Sequence, residues 1–434
     1  MEIEEAYSLL VKEISPAGRP ETVGLTGSFK RVAAEDITAP FCVPSFPKSA
    51  MDGFAVKASG IRGASADEPV SLRVTGEILA GDDKNFEYEP GTAVRIMTGA
   101  RVPEGYDAVV RQEDTDLFSG SCGDADLSSG SCADTDRRAE NKPGGPDERA
   151  DADLRMVRIF RPVSEYTNYC KVGEDIKKGD IVIKKGTLIG RTQAGILASL
   201  GITDISVVRK IRVKIISTGS ELKKPGEELL PGQIYNSISY VLTAALDHPC
   251  FEVASEICPD DEEYLEKSLA KALETADVII TTGGVSVGKK DLMPKVLRHI
   301  GARTVFSGVN IQPGTPTMGC IKDGKAILAL SGNPYAAIVN FDIYFYGVAS
   351  AFTGCDAFLP KTAEAVLKSP YRKINKMRRF IRAYTEGGSV FLPAGSHASS
   401  VFANLSDCNC YIDLKENTEV NVGDRVRVML NPMF

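Results

Sequence analysis

Three short segments rich in Gly, Ser and Thr carry the residue types best suited to chemistry: Ser217-Thr-Gly-Ser-Glu-Leu222, Thr281 to Gly288, and Ser331-Gly-Asn-Pro334. Each follows an apolar run of strand type. Backbone N–H groups in such loops, with the positive end of a following helix, form a receptor for an anion, usually a phosphate. Glycine lets the main chain approach that anion with no Cβ in the way. The second segment, within 277–291, matches neither the Walker pattern nor the dinucleotide fingerprint. Glu221, Asp260 and Asp291 fall at or near the same edge, and carboxylates beside a phosphate commonly bring Mg2+ to offset the repulsion. Candidate ligand-binding positions are therefore Thr218, Gly219, Gly283, Gly284, Ser286, Gly288, Gly332, Asn333 and Pro334. Two of the carboxylates also have a plain structural reading: Asp291 would cap the helix-like segment Leu292 to Ile300, and Asp260 would start the helix after Pro259.

The elements that must hold these loops repeat as strand, loop and helix. Ile211 to Ser217 reads as a strand, Ser239 to Leu246 as a helix, Asp261 to Thr275 as a helix and Val278 to Thr282 as a strand. Lys325 to Leu330 is a further strand before a long apolar helix, Tyr335 to Phe352, which carries Asn340 and Asp342 and so reads as buried rather than membrane-spanning. This alternation predicts an α/β domain with a parallel sheet covered on both faces, its ligand beyond the carboxyl ends of the strands. Upstream, Ile3 to Ile14 has helical spacing, and Val70 to Arg111 reads as short strands with Gly and Pro turns. After Phe352 the chain returns to alternating strands, ending in Arg425 to Leu430, which predicts a small C-terminal β domain.

Composition narrows the classes. The 434 residues allow about three domains, 43% hydrophobic and 25% charged content is ordinary for a globular protein, and the acidic start Met-Glu-Ile-Glu-Glu is unlike a signal peptide. A cytoplasmic protein is expected. Ten scattered cysteines read as reduced thiols, and only three histidines argue against a His-rich metal site or a Ser-His-Asp triad, Ser396-His397 included. Of the net charge of −7, the stretch Asp116 to Asp153 supplies −6, so no basic surface for nucleic acid is implied. That stretch holds a tandem repeat, Leu117 to Asp126 and Leu127 to Asp136, and its poverty in large apolar residues predicts a mobile loop. A duplication in a tolerant loop accounts for its Asp spacing better than a calcium site does.

Two segments have no periodicity that explains them: Pro44 to Val56, with Met51-Asp52-Gly53, and Val94 to Gly105, with Met97-Thr98-Gly99. Together with the loops above, Gly173-Glu-Asp-Ile176, Gly232-Gln-Ile-Tyr-Asn236, Pro313-Gly314 with Pro316, Arg379-Phe-Ile-Arg382 and Gly395-Ser-His397, the chain resembles the molybdopterin molybdenumtransferases (MoeA type, also the E domain of gephyrin). The resemblance covers nearly the whole chain outside the acidic stretch. It implies an elongated homodimer that inserts molybdate into adenylylated molybdopterin, with release of AMP and with Mg2+. It implies four domains: a dimerisation or linking domain of 1–45 plus 178–210, an inserted mixed β domain of 46–177, an α/β domain of 211–352 like the molybdopterin adenylyltransferases, and a C-terminal β domain of 353–434. By motif, Asp52 and Thr98 would complete the partner subunit's site, and Glu221, Asp260 and Asp291 would form its acidic, metal-dependent part. Asp175 and Pro313 would contact substrate, and Arg382 and Ser396 would hold the molybdate. A molybdopterin adenylyltransferase or recipient molybdoenzymes are the implied protein partners.

The pattern is broken in one cluster. Gly308, Gln312 and Thr315 stand where the family has lysines, Ser220 replaces an Asp and Ser331 a Pro. A charge-assisted hydrogen bond to an anion contributes roughly 1.5–3 kcal/mol, so the missing cations would weaken oxyanion binding unless replaced. Lys289-Lys290 could return the charge, or lie exposed at the start of a helix. Two other functions stay open: a non-catalytic molybdopterin-binding or scaffold paralogue, which the lost lysines favour, and adenylyl transfer to molybdopterin.

Overall fold

The computed structural model describes residues 1–120, 154–285 and 292–431. The chain forms two compact units, one of Met1–Ile37 with Ile181–Phe434, the other of Thr38–Asp180.

The larger unit is built on a six-stranded sheet: β1 (Ile211–Thr218), β2 (Phe251–Cys258), β3 (Val278–Thr282), β4 (Arg303–Ser307), β5 (Met318–Lys322) and β6 (Lys325–Leu330), in the order β2-β1-β3-β6-β5-β4. Its helices are α1 (Ile238–Ala245), α2 (Glu262–Thr275), α3 (Met293–His299) and α4 (Pro334–Thr353). Alternation along each strand feeds two cores. Ile211, Val213, Ile215, Val278, Ile280 and Leu328 pack with α1, α4 and the N-terminal helix Ile3–Lys12, while Ile216, Ile279 and Ile327 pack with α2 and α3. Both faces of the sheet are therefore covered, as expected for buried parallel strands.

The sheet is not wholly parallel, which corrects the sequence expectation. β2, β1, β3 and β6 are parallel, but β5 and β4 extend the edge antiparallel. The cause is the dipeptide Asp323-Gly324, both residues at positive φ (52° and 73°), which joins β5 to β6 as a two-residue hairpin. The long helix α4 is buried almost all round, as its composition required. Asn333 and Pro334 open it, and Gly354, at φ 67°, closes it in the left-handed conformation.

After α4, strands β7 (Thr362–Leu367), β8 (Arg378–Glu386), β9 (Ser389–Phe391), β10 (Cys410–Leu414) and β11 (Arg425–Leu430) run β8-β9-β7-β11-β10, and a β8–β10 pairing closes them into a small barrel. The short strand Ile311–Gln312 leaves the α/β layer to pair with β8, placing Gln312 opposite Arg379. A further core of the same unit packs the helix Arg191–Ser199 beside an antiparallel pair, Glu21–Gly24 with Asp204–Val207.

The smaller unit is a mixed sheet in the order Ala108–Arg111, Gly53–Val56, Thr92–Ile96, Val70–Ile78, Leu154–Ile159, Thr115–Gly120. The loop expected from Asp116 onward does not include Asp116 to Gly120. Residues through Gly120 form a strand because each finds a partner on Leu154–Ile159, and the remainder of that stretch lies outside the described residues. Among the described residues no helix is long and apolar enough to cross a membrane, and the described cysteines are free thiols.

Candidate active site

Three adjacent parallel strands, β1, β3 and β6, deliver their loops side by side. Thr218 ends β1, and its Oγ1 donates to the carbonyl of Thr282 at 3.2 Å. The N–H of Gly283 donates to the carbonyl of Leu330 at 3.0 Å, tying the second loop to the third. Close approach explains the glycines. A Cβ on Gly283 (φ 95°) would lie 2.5 Å from the Thr218 carbonyl oxygen, and one on Gly332 would lie 3.3 Å from the Cα of Gly283. The loops open onto a cleft of about 960 Å³ that Thr218, Gly219, Glu221, Asp260, Gly283, Gly284, Gly332, Asn333 and Pro334 all line. Of the positions read from the sequence for this edge, Ser286, Gly288 and Asp291, with Lys289 and Lys290, lie outside the described residues.

Asp260 is released from the structural duty it could have had. Asp261 caps α2, its Oδ1 accepting from the N–H of Tyr264 at 2.8 Å. Asp260 instead closes a reciprocal pair with Ser220. The Ser220 N–H donates to Asp260 Oδ2 at 3.2 Å and the Asp260 N–H donates to Ser220 Oγ at 3.2 Å. This stitches the loop after β2 to the loop after β1 and brings Asp260 and Glu221 to one cleft. Among the described residues no three His, Cys, Asp or Glu side chains gather to hold a metal alone. Two carboxylates fit Mg2+, which completes its coordination with substrate phosphate and water. Ser220, Tyr235 and Asn236 also line the cleft. Gly232 to Asn236 was visible as a motif, but nothing in its spacing assigned it a role.

A second hollow, of about 410 Å³, adjoins the cleft at Pro316, Ser331 and Asn333. Pro313 and Gly314 form one wall. Gly314 (φ 98°) is obligatory, because a Cβ there would sit 1.7 Å from Asn340 Nδ2. Lys373, Arg379, His397 and Ser399, from the C-terminal domain, line the other side. Asn333 Nδ2 donates to Ser399 Oγ at 3.1 Å across the junction. His397 is held below the ordinary imidazole range by burial and then by Arg382 and Arg379, and its Nδ1 is buried without a partner.

Arg382 and Ser396 lie apart from this lining. Arg382 is fully buried and stacks on Tyr335, its guanidinium carbon 3.7 Å from the ring centre. Its guanidinium donates to the carbonyls of Val401 and Ala398 and to Asn404. Ser396 is exposed and accepts from the N–H of Ala398 at 3.2 Å. Asp52, Thr98 and Asp175 belong to the smaller unit. There Asp52 and Thr98 meet by hydrogen bonds, while Asp175 sits exposed in a turn, its N–H donating to the Val43 carbonyl at 3.1 Å.

Family models cover the chain in order: the MoeA N-terminal region (domains I and II) over residues 1–201, a probable molybdopterin binding domain over 214–349, and the MoeA C-terminal region (domain IV) over 364–430. A molybdopterin molybdenumtransferase of Bacillus subtilis is 34% identical over 418 residues, spanning 95% of this chain and 90% of that protein. The chain belongs to the molybdopterin molybdenumtransferase family. A molybdopterin molybdenumtransferase of Staphylococcus epidermidis is 32% identical across 94% of this chain and 90% of its own length. The fold agrees: the crystal structure of a molybdopterin biosynthesis MoeA protein from Pyrococcus horikoshii superposes with a TM-score of 0.79 at 27% identity, covering 99% of both chains. In this family member the cleft falls within the stretch matched by the probable molybdopterin binding domain, and Lys373, Arg379 and His397 fall within the one matched by the MoeA C-terminal region.

Proposed function

We propose that this chain is a molybdenum insertase. It takes adenylylated molybdopterin and molybdate, places molybdenum on the pterin dithiolene and releases AMP. The observation that carries the reading is the meeting of three glycine loops and two carboxylates in one cleft, beside a hollow whose charged lining groups are cations. Main-chain N–H groups of the glycine loops would donate to the pyrophosphate of the substrate. Glu221 and Asp260, with Asp291, would hold Mg2+, which when bound neutralises charge on the phosphates as water cleaves the bond to AMP. Asp52 and Thr98 would complete the site of a second subunit in a homodimer, and Asp175 would contact substrate. The setting would be the cytoplasm, between a molybdopterin adenylyltransferase that supplies the substrate and the molybdoenzymes that receive the product.

The test is turnover. The purified chain is incubated with adenylylated molybdopterin, Mg2+ and molybdate, and AMP release and molybdenum incorporation are followed. Both should depend on molybdate and on Glu221. Binding of the pterin without AMP release would make the chain a non-catalytic paralogue, and ATP consumption with free molybdopterin would make it an adenylyltransferase.

A further inference from the structure

Residues Arg372 to Arg382 contain six bases and no acid, a density of positive charge that needs an explanation. The structure accounts for them one by one. Arg378 is neutralised: its guanidinium makes two bonds of 2.7 Å to Asp413 and a further one to Glu4. Arg382 is sunk beneath Tyr335, its two Nη atoms bonded to Val401, Ala398 and Asn404 and its Nε buried without a partner. Arg372 and Lys376 are exposed and lie outside the hollow. Arg379 and Lys373 remain, and both line it.

Arg379 is set in place by neutral groups. Its Nη1 donates to Asn375 Oδ1 at 2.8 Å and reaches Gln312 Oε1 at 3.5 Å, on the strand that pairs Gln312 with Arg379. Among the described residues no carboxylate forms an ion pair with it, and none lines the hollow. A partly exposed guanidinium oriented by amides keeps its full charge and its remaining donors for a ligand. A lysine at position 312 would oppose that arginine, whereas the glutamine offers it an acceptor.

We propose that Arg379, positioned by Gln312 and Asn375 and assisted by Lys373, is a residue of this chain that binds the oxyanion substrate. The identity of that anion as molybdate rests on the function proposed above. The site itself rests on the geometry. Its place follows from charge: phosphates with their cation go to the carboxylate-lined cleft, and a free tetrahedral oxyanion goes to the adjoining cationic hollow, where a planar guanidinium can donate two bonds to it. The positive charge absent at Gln312 and Thr315 has moved to the opposite wall.

The experiment compares wild type, R379A, R379Q, R379K, K373A and the R379A/K373A double variant by calorimetric titration with molybdate, and by KM for molybdate against KM for the pterin substrate. R379A should weaken molybdate binding by at least roughly 10- to 100-fold, the contribution of even one charge-assisted hydrogen bond to an anion, with the pterin KM held within about two-fold. R379K should recover part of the loss, and K373A should cost a few-fold and fade as salt rises. R379Q, which keeps a donor for Asn375, serves if R379A fails to fold. Unchanged molybdate affinity in R379Q and K373A would overturn the proposal. Arginine-dependent binding without turnover would overturn the insertase reading and leave this site standing. Turnover that is indifferent to Arg379 would do the reverse, and a wild type that binds no oxyanion would end both.

Discussion

Asp52 and Thr98 are bound through a single oxygen: Asp52 Oδ1 accepts from both the N–H and the Oγ1 of Thr98, each at 2.7 Å. The two donors, the N–H first, hold this exposed carboxyl below the usual aspartate range. The pair therefore presents a fixed anion on the surface of the smaller unit. Removing the hydroxyl in T98A should let the carboxyl rise part of the way back, read by carbon NMR titration; an unmoved titration would show that the hydroxyl bond is not formed. If the pair completes a partner's site, D52N should cut AMP release roughly 100-fold and leave the melting temperature where it was, because an exposed side chain packs against little.

Gly283 should tolerate no side chain. Alanine there meets two penalties, a positive φ of 95° and a Cβ 2.5 Å from the Thr218 carbonyl and 2.7 Å from Thr218 Oγ1. G283A should lose roughly 1–3 kcal/mol of stability and most of its affinity for the pterin substrate, since relief requires the β1 and β3 loops to part. G423A is the control: its φ of 101° is strained, but nothing lies within 4 Å, so it should lose stability and keep ligand affinity. Equal loss of affinity in both variants would show that the loops are not sensitive to this contact.

The contrast between what the chain disclosed in sequence and what it did not has physical causes. β3 and β6 were legible because β3 is buried along its whole length and β6 from Ala326 onward, giving continuous apolar runs that end in glycine loops. β2 was not, because it forms the sheet edge: Glu252, Ala254 and Ser255 are exposed and break the run. The candidate cleft was legible for a related reason, since residues that follow consecutive parallel strands must meet at one edge. Motif alone singled out Arg382 and left Arg379 without a role. They sit three apart on β8 and so face opposite sides of a strand, and only the closure of the barrel decides that Arg382 is the buried one.

Asp277, the residue before β3, should anchor the central sheet. Arg209 grips it with two bonds of 2.7 and 2.9 Å, and the N–H of Arg212 adds a third at 2.9 Å. Burial pushes this carboxyl up, but Arg209 and then Arg212 outweigh burial and hold it below the ordinary range. The folded state thus favours the charged form, and the stabilisation is present above the unfolded pKa of about 3.9 and lost as pH falls through the lower folded value. D277A should cost roughly 3 kcal/mol at pH 7, because it strands two arginines at a half-buried site. In urea denaturation the gap from wild type should narrow near pH 3, and a gap that persists there would deny the ion pairs their role.

Asp342 should behave in the opposite sense. It lies inside α4, only 7% exposed, and burial pushes its carboxyl up to about 7 even though the Tyr411 hydroxyl donates to Oδ2 at 2.7 Å. That bond joins α4 of the α/β layer to β10 of the barrel. Because the folded pKa exceeds the unfolded one, the folded chain keeps a proton that the unfolded chain gives up. The resulting stability is complete below about 3.9 and is lost as pH rises through about 7. D342N keeps an acceptor for Tyr411 and cannot ionise, so above pH 7 it should exceed wild type by a few kcal/mol, on the order of 3. Thermal unfolding between pH 5 and 8 reads this directly: the wild-type midpoint should fall across the window while that of D342N stays nearly level. Parallel curves for the two proteins would mean that Asp342 stays ionised in the folded chain and that the contact between layer and barrel carries no proton.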